Sequence, residues 1–209
     1  MYGGNRRVGL FQQKKQIVAV FGTEKSVGVT SLCVALAAMA SSGKNTKVLL
    51  LEMGNQHTFV KIRRFYDRKM LSTDGEFQMD RIRFYPDTTI EKALDLIAQE
   101  DVFIILDCGK DVMKYQEVLK FCTRKILLCS LLPWKIQQVI FLLTHEKCEN
   151  LWDCALVTSG KSQLQKIKRI TGYSMKPWIF IEEPLSLKKH DMEELYQLIY
   201  GKKYITNRC

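Results

Sequence analysis

Ile17-Val-Ala-Val-Phe-Gly22-Thr-Glu-Lys-Ser-Val-Gly28-Val-Thr-Ser31 runs from an apolar, β-branched segment through a glycine-bounded turn into the start of an alanine-rich segment. Ile17–Phe21 predicts a buried strand and Gly22–Gly28 a tight turn. Thr30–Ala40 predicts a helix, stopped by Ser41-Ser42-Gly43. A strand, a tight turn and a helix opening on Thr30-Ser31 set successive backbone N–H groups and the helix N-terminus around a positive concavity. That is the geometry of a phosphate cradle. Gly28 lets the backbone approach a phosphate, and the Thr30 hydroxyl is placed to ligate Mg²⁺. The bland alternative is a structural turn in which Gly28 permits close packing and Thr30 caps the helix.

The rest of the chain repeats the theme. Val48–Leu51, Val102–Leu106 and Ile126–Cys129 are further apolar runs, with shorter ones at Ala155–Val157 and Trp178–Ile181. Helices are expected at Thr58–Phe65, Ile90–Ala98, Val112–Phe121, Trp134–Leu143, near Leu164–Ile170 and near Met192–Tyr200. Phe77–Tyr85 alternates around Asp80-Arg81 and predicts a small hairpin. Thr88 and Thr89 ahead of Glu91 predict a capping box. Alternating strands and helices predict an α/β fold with a mostly parallel sheet and helices on both faces. Strands that read as continuous apolar runs are what a sheet covered on both faces requires. No repeat, low-complexity segment or linker divides the 209 residues. One domain over 16–209 is expected behind a flexible basic arm at 1–15.

The glycine-bounded loop resembles the deviant Walker A loop of the MinD/ParA family, Lys-Gly-Gly-x-Gly-Lys-Thr-Thr. Laid without gaps, Gly28, Thr30 and Ser31 match, and the family's second lysine falls on Val29. The family's two earlier glycines fall on Lys25 and Ser26. Its first lysine, which in the family reaches into the partner subunit of an ATP sandwich dimer, falls on Glu24. Lys47-Val-Leu-Leu-Leu-Glu52-Met-Gly54 is similar to the family's second strand, which usually ends in Asp-x-Asp. Glu52 takes the first carboxylate place, and Gly54 replaces the second, which the family links to the attacking water. Phe103-Ile-Ile-Leu-Asp107-Cys-Gly109 is similar to the Walker B strand, where Asp107 would act on Mg²⁺ through water.

The resemblance covers about residues 16–200 and implies a three-layer P-loop NTPase-like fold. It implies ATP and Mg²⁺, weakly held, at Gly22, Thr23, Glu24, Lys25, Ser26, Val27, Gly28, Val29, Thr30 and Ser31, with Thr30 and Asp107 at the metal. Short length and the altered loop resemble the CpaE/TadZ branch, which positions the assembly machinery of Flp-type pili. Phosphoryl transfer depends on positioning and charge stabilisation. By analogy with oxyanion donors, one lost loop cation costs about 2.7–4 kcal/mol, or roughly 100- to 1000-fold in rate. Glu24 adds repulsion near the phosphates, while the backbone cradle survives.

The formal net charge of +10 favours an acidic partner: nucleic acid, an anionic membrane surface or an acidic protein face. Basic residues recur at Lys61–Arg64, Lys166–Arg169, Lys188-Lys189 and Lys202-Lys203, without RNA-recognition or zinc-finger patterns. Seven cysteines form no CxxC pair and read as reduced buried thiols of a cytoplasmic protein; three scattered histidines form no zinc pattern. No apolar run approaches the ~20 residues of a membrane-spanning helix. The last helix is expected to pack by Leu195, Leu198 and Ile199 rather than lie on a membrane, although the resemblance leaves a peripheral place at the inner membrane face open. Phe65-Tyr66, Phe84-Tyr85 and Trp134 are expected mostly in the core, with a partner surface as the alternative.

Together these features predict a degenerate ParA/MinD-like protein in which ATPase activity is absent or very slow. It would act as a scaffold or localisation factor with a protein partner in secretion or pilus machinery, with homodimerisation left open. The alternatives are an active ATPase in which Lys25 replaces the missing lysine, and a DNA-associated partitioning protein.

Overall fold

The computed structural model describes residues 15–43, 46–53, 56–66, 75–99, 102–145, 151–178 and 181–201. Eight strands form one sheet: β1 (Gln16–Gly22), β2 (Lys47–Met53), β3 (Phe77–Met79), β4 (Ile82–Thr88), β5 (Val102–Asp107), β6 (Arg124–Ser130), β7 (Cys154–Ser159) and β8 (Lys176–Pro177). Their spatial order is β3-β4-β2-β5-β1-β6-β7-β8. Every pairing is parallel except that of β3 with β4. β1 therefore lies between β5 and β6, and the C-terminal ends of β1 and β5 open at the place where strand order reverses, the usual ligand crevice of such sheets.

The central strands have no polar face because both faces are covered. In β1, Ile17, Ala19 and Phe21 pack on one side with α3 (Ile90–Ile97), α4 (Gln116–Leu119), α5 (Ile136–Thr144) and α6 (Leu164–Thr171). Val18 and Val20 pack on the other with α1 (Val29–Ser41), α2 (Thr58–Tyr66) and α7 (Lys189–Tyr200). This is the expected three-layer α/β architecture, P-loop NTPase-like in form. Helix α1 is buried on nearly every side, from Leu32 through Ala37 and again at Met39 and Ala40, which explains its alanine-rich sequence. Leu195, Leu198 and Ile199 of α7 join the same core, so the last helix packs as its stripe predicts.

Three local expectations need correction. Val112–Phe121 is not one helix: a 3-10 turn at Val112–Tyr115 leads into the single turn of α4. The cause is tertiary, since Tyr115 is buried and its hydroxyl donates to Met53 O at 2.9 Å. The last strand lies at Lys176–Pro177, before Trp178, whose N–H then donates to Val157 O at 2.8 Å; residues 179 and 180 lie outside the described set. Thr89 caps α3 by accepting from Lys92 N–H, so the third helical position holds Lys92 and no reciprocal capping box with Glu91 forms. The aromatic residues expected mostly in the core are not mostly there: Phe84 and Tyr85 are buried, whereas Phe65, Tyr66 and Trp134 are exposed. Cys33, Cys108, Cys122, Cys129 and Cys154 are free and buried. Residues 1–14 of the expected arm, Gly54, Cys148, Cys209 and Lys202-Lys203 lie outside the described residues.

Candidate functional site

The loop from β1 to α1 is pinned at its start. Gly22 N–H donates to Gly109 O at 2.7 Å and Thr23 N–H to Leu128 O at 2.9 Å, tying it to the end of β5 and to β6. A Cβ at Gly22 would lie 2.5 Å from Val27 Cγ1 and 2.8 Å from Val29 Cγ2, so only glycine fits beneath the loop. Two later residues turn the chain with positive φ, Ser26 at 61° and Gly28 at 105°. Nothing lies within 4 Å of a Cβ built at Gly28, so its glycine answers to backbone conformation and not to space. Ser26 holds the left-handed conformation without being glycine, at a cost of about 1–2 kcal/mol. Such strain persists where the surroundings over-determine the backbone.

Helix α1 starts at Val29, and its first internal bond runs from Leu32 N–H to Gly28 O at 3.0 Å. The N–H groups of Val29, Thr30 and Ser31 thus have no partner inside the helix, and no side chain caps it. Thr30 is not the cap that the bland alternative supposed. Its hydroxyl donates to Asp107 Oδ2 at 2.6 Å. Asp107 also accepts from Gly109 N–H at 3.3 Å. Burial pushes the Asp107 carboxyl up to about 6, with Glu52 adding to the shift and the Thr30 and Gly109 bonds opposing it. A hydroxyl and a carboxylate converging at a helix N-terminus are hard oxygen donors, and they are the residues here that could hold Mg²⁺. No group of three or more His, Cys, Asp or Glu suited to a metal occurs among the described residues.

Val29, where the resembled loop has lysine, is 8% exposed and belongs to the core cluster with Val27. Glu52 is buried at the end of β2, in register with Asp107. Its carboxylate accepts from Thr58 N–H at 2.6 Å and from Phe59 N–H at 3.3 Å, closing the N-terminus of α2. Burial raises its carboxyl and these two bonds partly counter the shift. The first carboxylate place of the second strand is therefore spent on helix capping.

Above the loop lies a cavity of about 620 Å³. Glu24, Lys25, Ser26, Gly28, Val29, Thr30 and Ser31 border it, whereas Gly22, Thr23, Val27 and Asp107 lie beneath the loop, where they do not line it. Glu24 pairs with Lys135 Nζ at 2.5 Å, which offsets the repulsion its sequence position implies. Lys61 from α2 and Lys110, Asp111 and Lys114 from the segment after β5 also line it. Sequence reasoning named Lys61 only as part of a basic cluster and missed Lys110, Lys114 and Lys135. The available signal was Lys110, three residues beyond the Asp107 that the strand pattern had singled out.

No protein-family model matches the chain, and no curated protein matches it in sequence. Solved structures do match in fold. A ParA family ATPase from Chlorobium tepidum aligns with a TM-score of 0.57 at 14% identity, covering 91% of this chain and 94% of that one. A putative plasmid partition protein from Borrelia burgdorferi, bound to AMPPNP, aligns with a TM-score of 0.62 at 14% identity over 89% and 97%. MinD of Aquifex aeolicus aligns with a TM-score of 0.51 at 13% identity over 90% and 88%. At such identities the likeness is one of fold, and the fold is the one that ParA and MinD ATPases share.

Proposed function

We propose that this chain is a ParA/MinD-type P-loop protein with a degenerate phosphate loop, which holds nucleotide weakly and turns it over at background rate. Its role would be that of a scaffold or localisation factor. The observation that carries the reading is Val29: the place of the loop lysine holds a buried apolar side chain within the core. Without that ammonium, about 2.7–4 kcal/mol of transition-state stabilisation is lost by analogy with oxyanion donors. Gly54 stands where the resembled strand carries the carboxylate linked to the attacking water, and Glu52 is engaged by α2. Binding is less affected, because the three uncapped N–H groups of α1 and its dipole still attract an anion. Mg²⁺, when held by Thr30 and by Asp107 through water, supplies charge neutralisation at the phosphates.

The resemblance to the CpaE/TadZ branch supports secretion or pilus machinery as the setting and the cytoplasm, including the inner membrane face, as the location. Phe65 and Tyr66, both exposed and edge-to-face at 5.2 Å, suit a protein partner. No helix among the described residues is long and apolar enough to cross a membrane. Phosphate release from ATP by the purified protein should equal that of a Thr30→Ala, Asp107→Ala double variant. An excess that vanishes on Lys25→Ala would replace this reading with an active ATPase using Lys25.

A further inference from the structure

Two hollows flank the N-terminus of α1, and they differ in chemistry. The larger, of about 620 Å³, has Lys25, Lys61, Lys110 and Lys114 against Glu24 and Asp111 in its wall. Glu24 is already paired with Lys135, which stands outside that wall. Among the described residues, Lys25, Lys61 and Lys110 have no carboxylate partner, while Lys114 rests over the Tyr115 ring at 5.3 Å. The smaller hollow, on the β6 and β7 side, is walled by Leu128, Thr158, Trp178 and Ile181 and has about 40 Å³ of room. That space admits about one water molecule. That leaves the larger hollow as the place for a ligand at this end of α1.

We propose that the site recognises its ligand by an oligophosphate chain, whatever group the chain carries, and that Lys110 supplies the cation that Val29 does not. This rests on the reading of the loop as an anion cradle. Lys110 is the best placed of the four lysines because its backbone is fixed. Gly109 O accepts from Gly22 N–H at 2.7 Å and Cys108 N–H donates to Val20 O at 3.1 Å, so the turn carrying Lys110 is fastened to the base of the loop. Lys25, by contrast, stands on the exposed turn itself. A phosphate chain in this cavity can meet both the α1 N–H groups and Lys110, since Val29, Thr30, Ser31 and Lys110 all line it.

Calorimetry on the full chain with Mg²⁺ tests this, using ATP, GTP and inorganic tripolyphosphate as probes. The three should bind with dissociation constants within about threefold of one another. Lys110→Gln, a change at an exposed side chain, should weaken all three by about tenfold or more, the size of one charge-assisted contact. ATP binding at least about tenfold tighter than tripolyphosphate would overturn the proposal by showing that the base is read. A neutral Lys110→Gln, or no heat with any probe from protein that unfolds cooperatively, would overturn it as well. Phosphate release measured on the same samples reports separately. Turnover above the double-variant control defeats the non-hydrolysing reading and leaves the ligand class standing, while base selectivity without turnover does the reverse.

Discussion

Two strand-to-helix junctions stand at the C-terminal edge of the sheet on either side of β5, and they solve the same problem in opposite ways. Both β1–α1 and β2–α2 end a buried parallel strand and begin a helix whose first N–H groups lack internal partners. At β2–α2 the protein supplies its own anion: Glu52 accepts from Thr58 and Phe59 and is sealed from solvent. At β1–α1 no side chain caps the helix, the loop carries two residues of positive φ, and the N–H groups of Val29, Thr30 and Ser31 face a lysine-walled cavity. The two junctions thus treat the first N–H groups of their helices differently. At β2–α2 the chain's own carboxylate makes the junction structural, and at β1–α1 the uncapped N–H groups stay open to the anion proposed above.

The comparison is broken most severely by removing the internal anion. Glu52→Ala leaves two donors of α2 unsatisfied in a buried place and should lower unfolding free energy by about 3 kcal/mol, partly offset by release of a desolvated carboxylate. Urea unfolding measures this, and a neutral variant would mean that α2 does not need its cap.

Asp107 gives the next largest effect, with the opposite sign. Its folded pKa of about 6 exceeds the ordinary 3.8, so between those values the folded state binds more protons than the unfolded chain. Stability therefore falls as pH rises through that window, and the cost is complete above it. Asp107→Asn should raise stability at pH 7 by about 2 kcal/mol, less than the roughly 3 kcal/mol of the full shift because the amide must also be buried. The gain should vanish near pH 4. Thermal unfolding of both proteins across that range checks the slope.

Much of this arrangement was legible in the sequence. Ile17–Phe21 and Val102–Leu106 are apolar without alternation, and that alone places them in a covered parallel sheet. Gly22, Gly28 and Thr30 marked the loop, and Asp107 marked its neighbour. What escaped were contacts that no local pattern encodes. Glu52 reaches Thr58 and Phe59 through backbone donors, which have no residue signature. Lys135 meets Glu24 from far along the chain, and Lys61, Lys110 and Lys114 gather only when α2 and the turn after β5 converge on the cavity. The split of Val112–Phe121 was hidden for the same reason, since helical spacing there gives way to the demand that Tyr115 reach Met53.

Two smaller changes sharpen the contrast at the open junction. Ser26→Gly relieves the left-handed serine and should stabilise the fold by about 0.5–1 kcal/mol after the added chain entropy of glycine, as read by chemical unfolding. Glu24→Gln should leave stability nearly unchanged, because a partly exposed pair contributes little. It removes a carboxylate from the cavity wall, and tripolyphosphate should bind about threefold more tightly by calorimetry.

The most direct test watches the two junctions at once. In amide-resolved NMR, titration with Mg²⁺ and tripolyphosphate should shift the Val29, Thr30 and Ser31 resonances while those of Thr58 and Phe59 stay in place. Replacing tripolyphosphate with ATP should reproduce the shifts, without inorganic phosphate accumulating above the Thr30→Ala, Asp107→Ala control. Shifts at Thr58 and Phe59 with none at Val29 to Ser31, or steady phosphate release from ATP, would contradict the account.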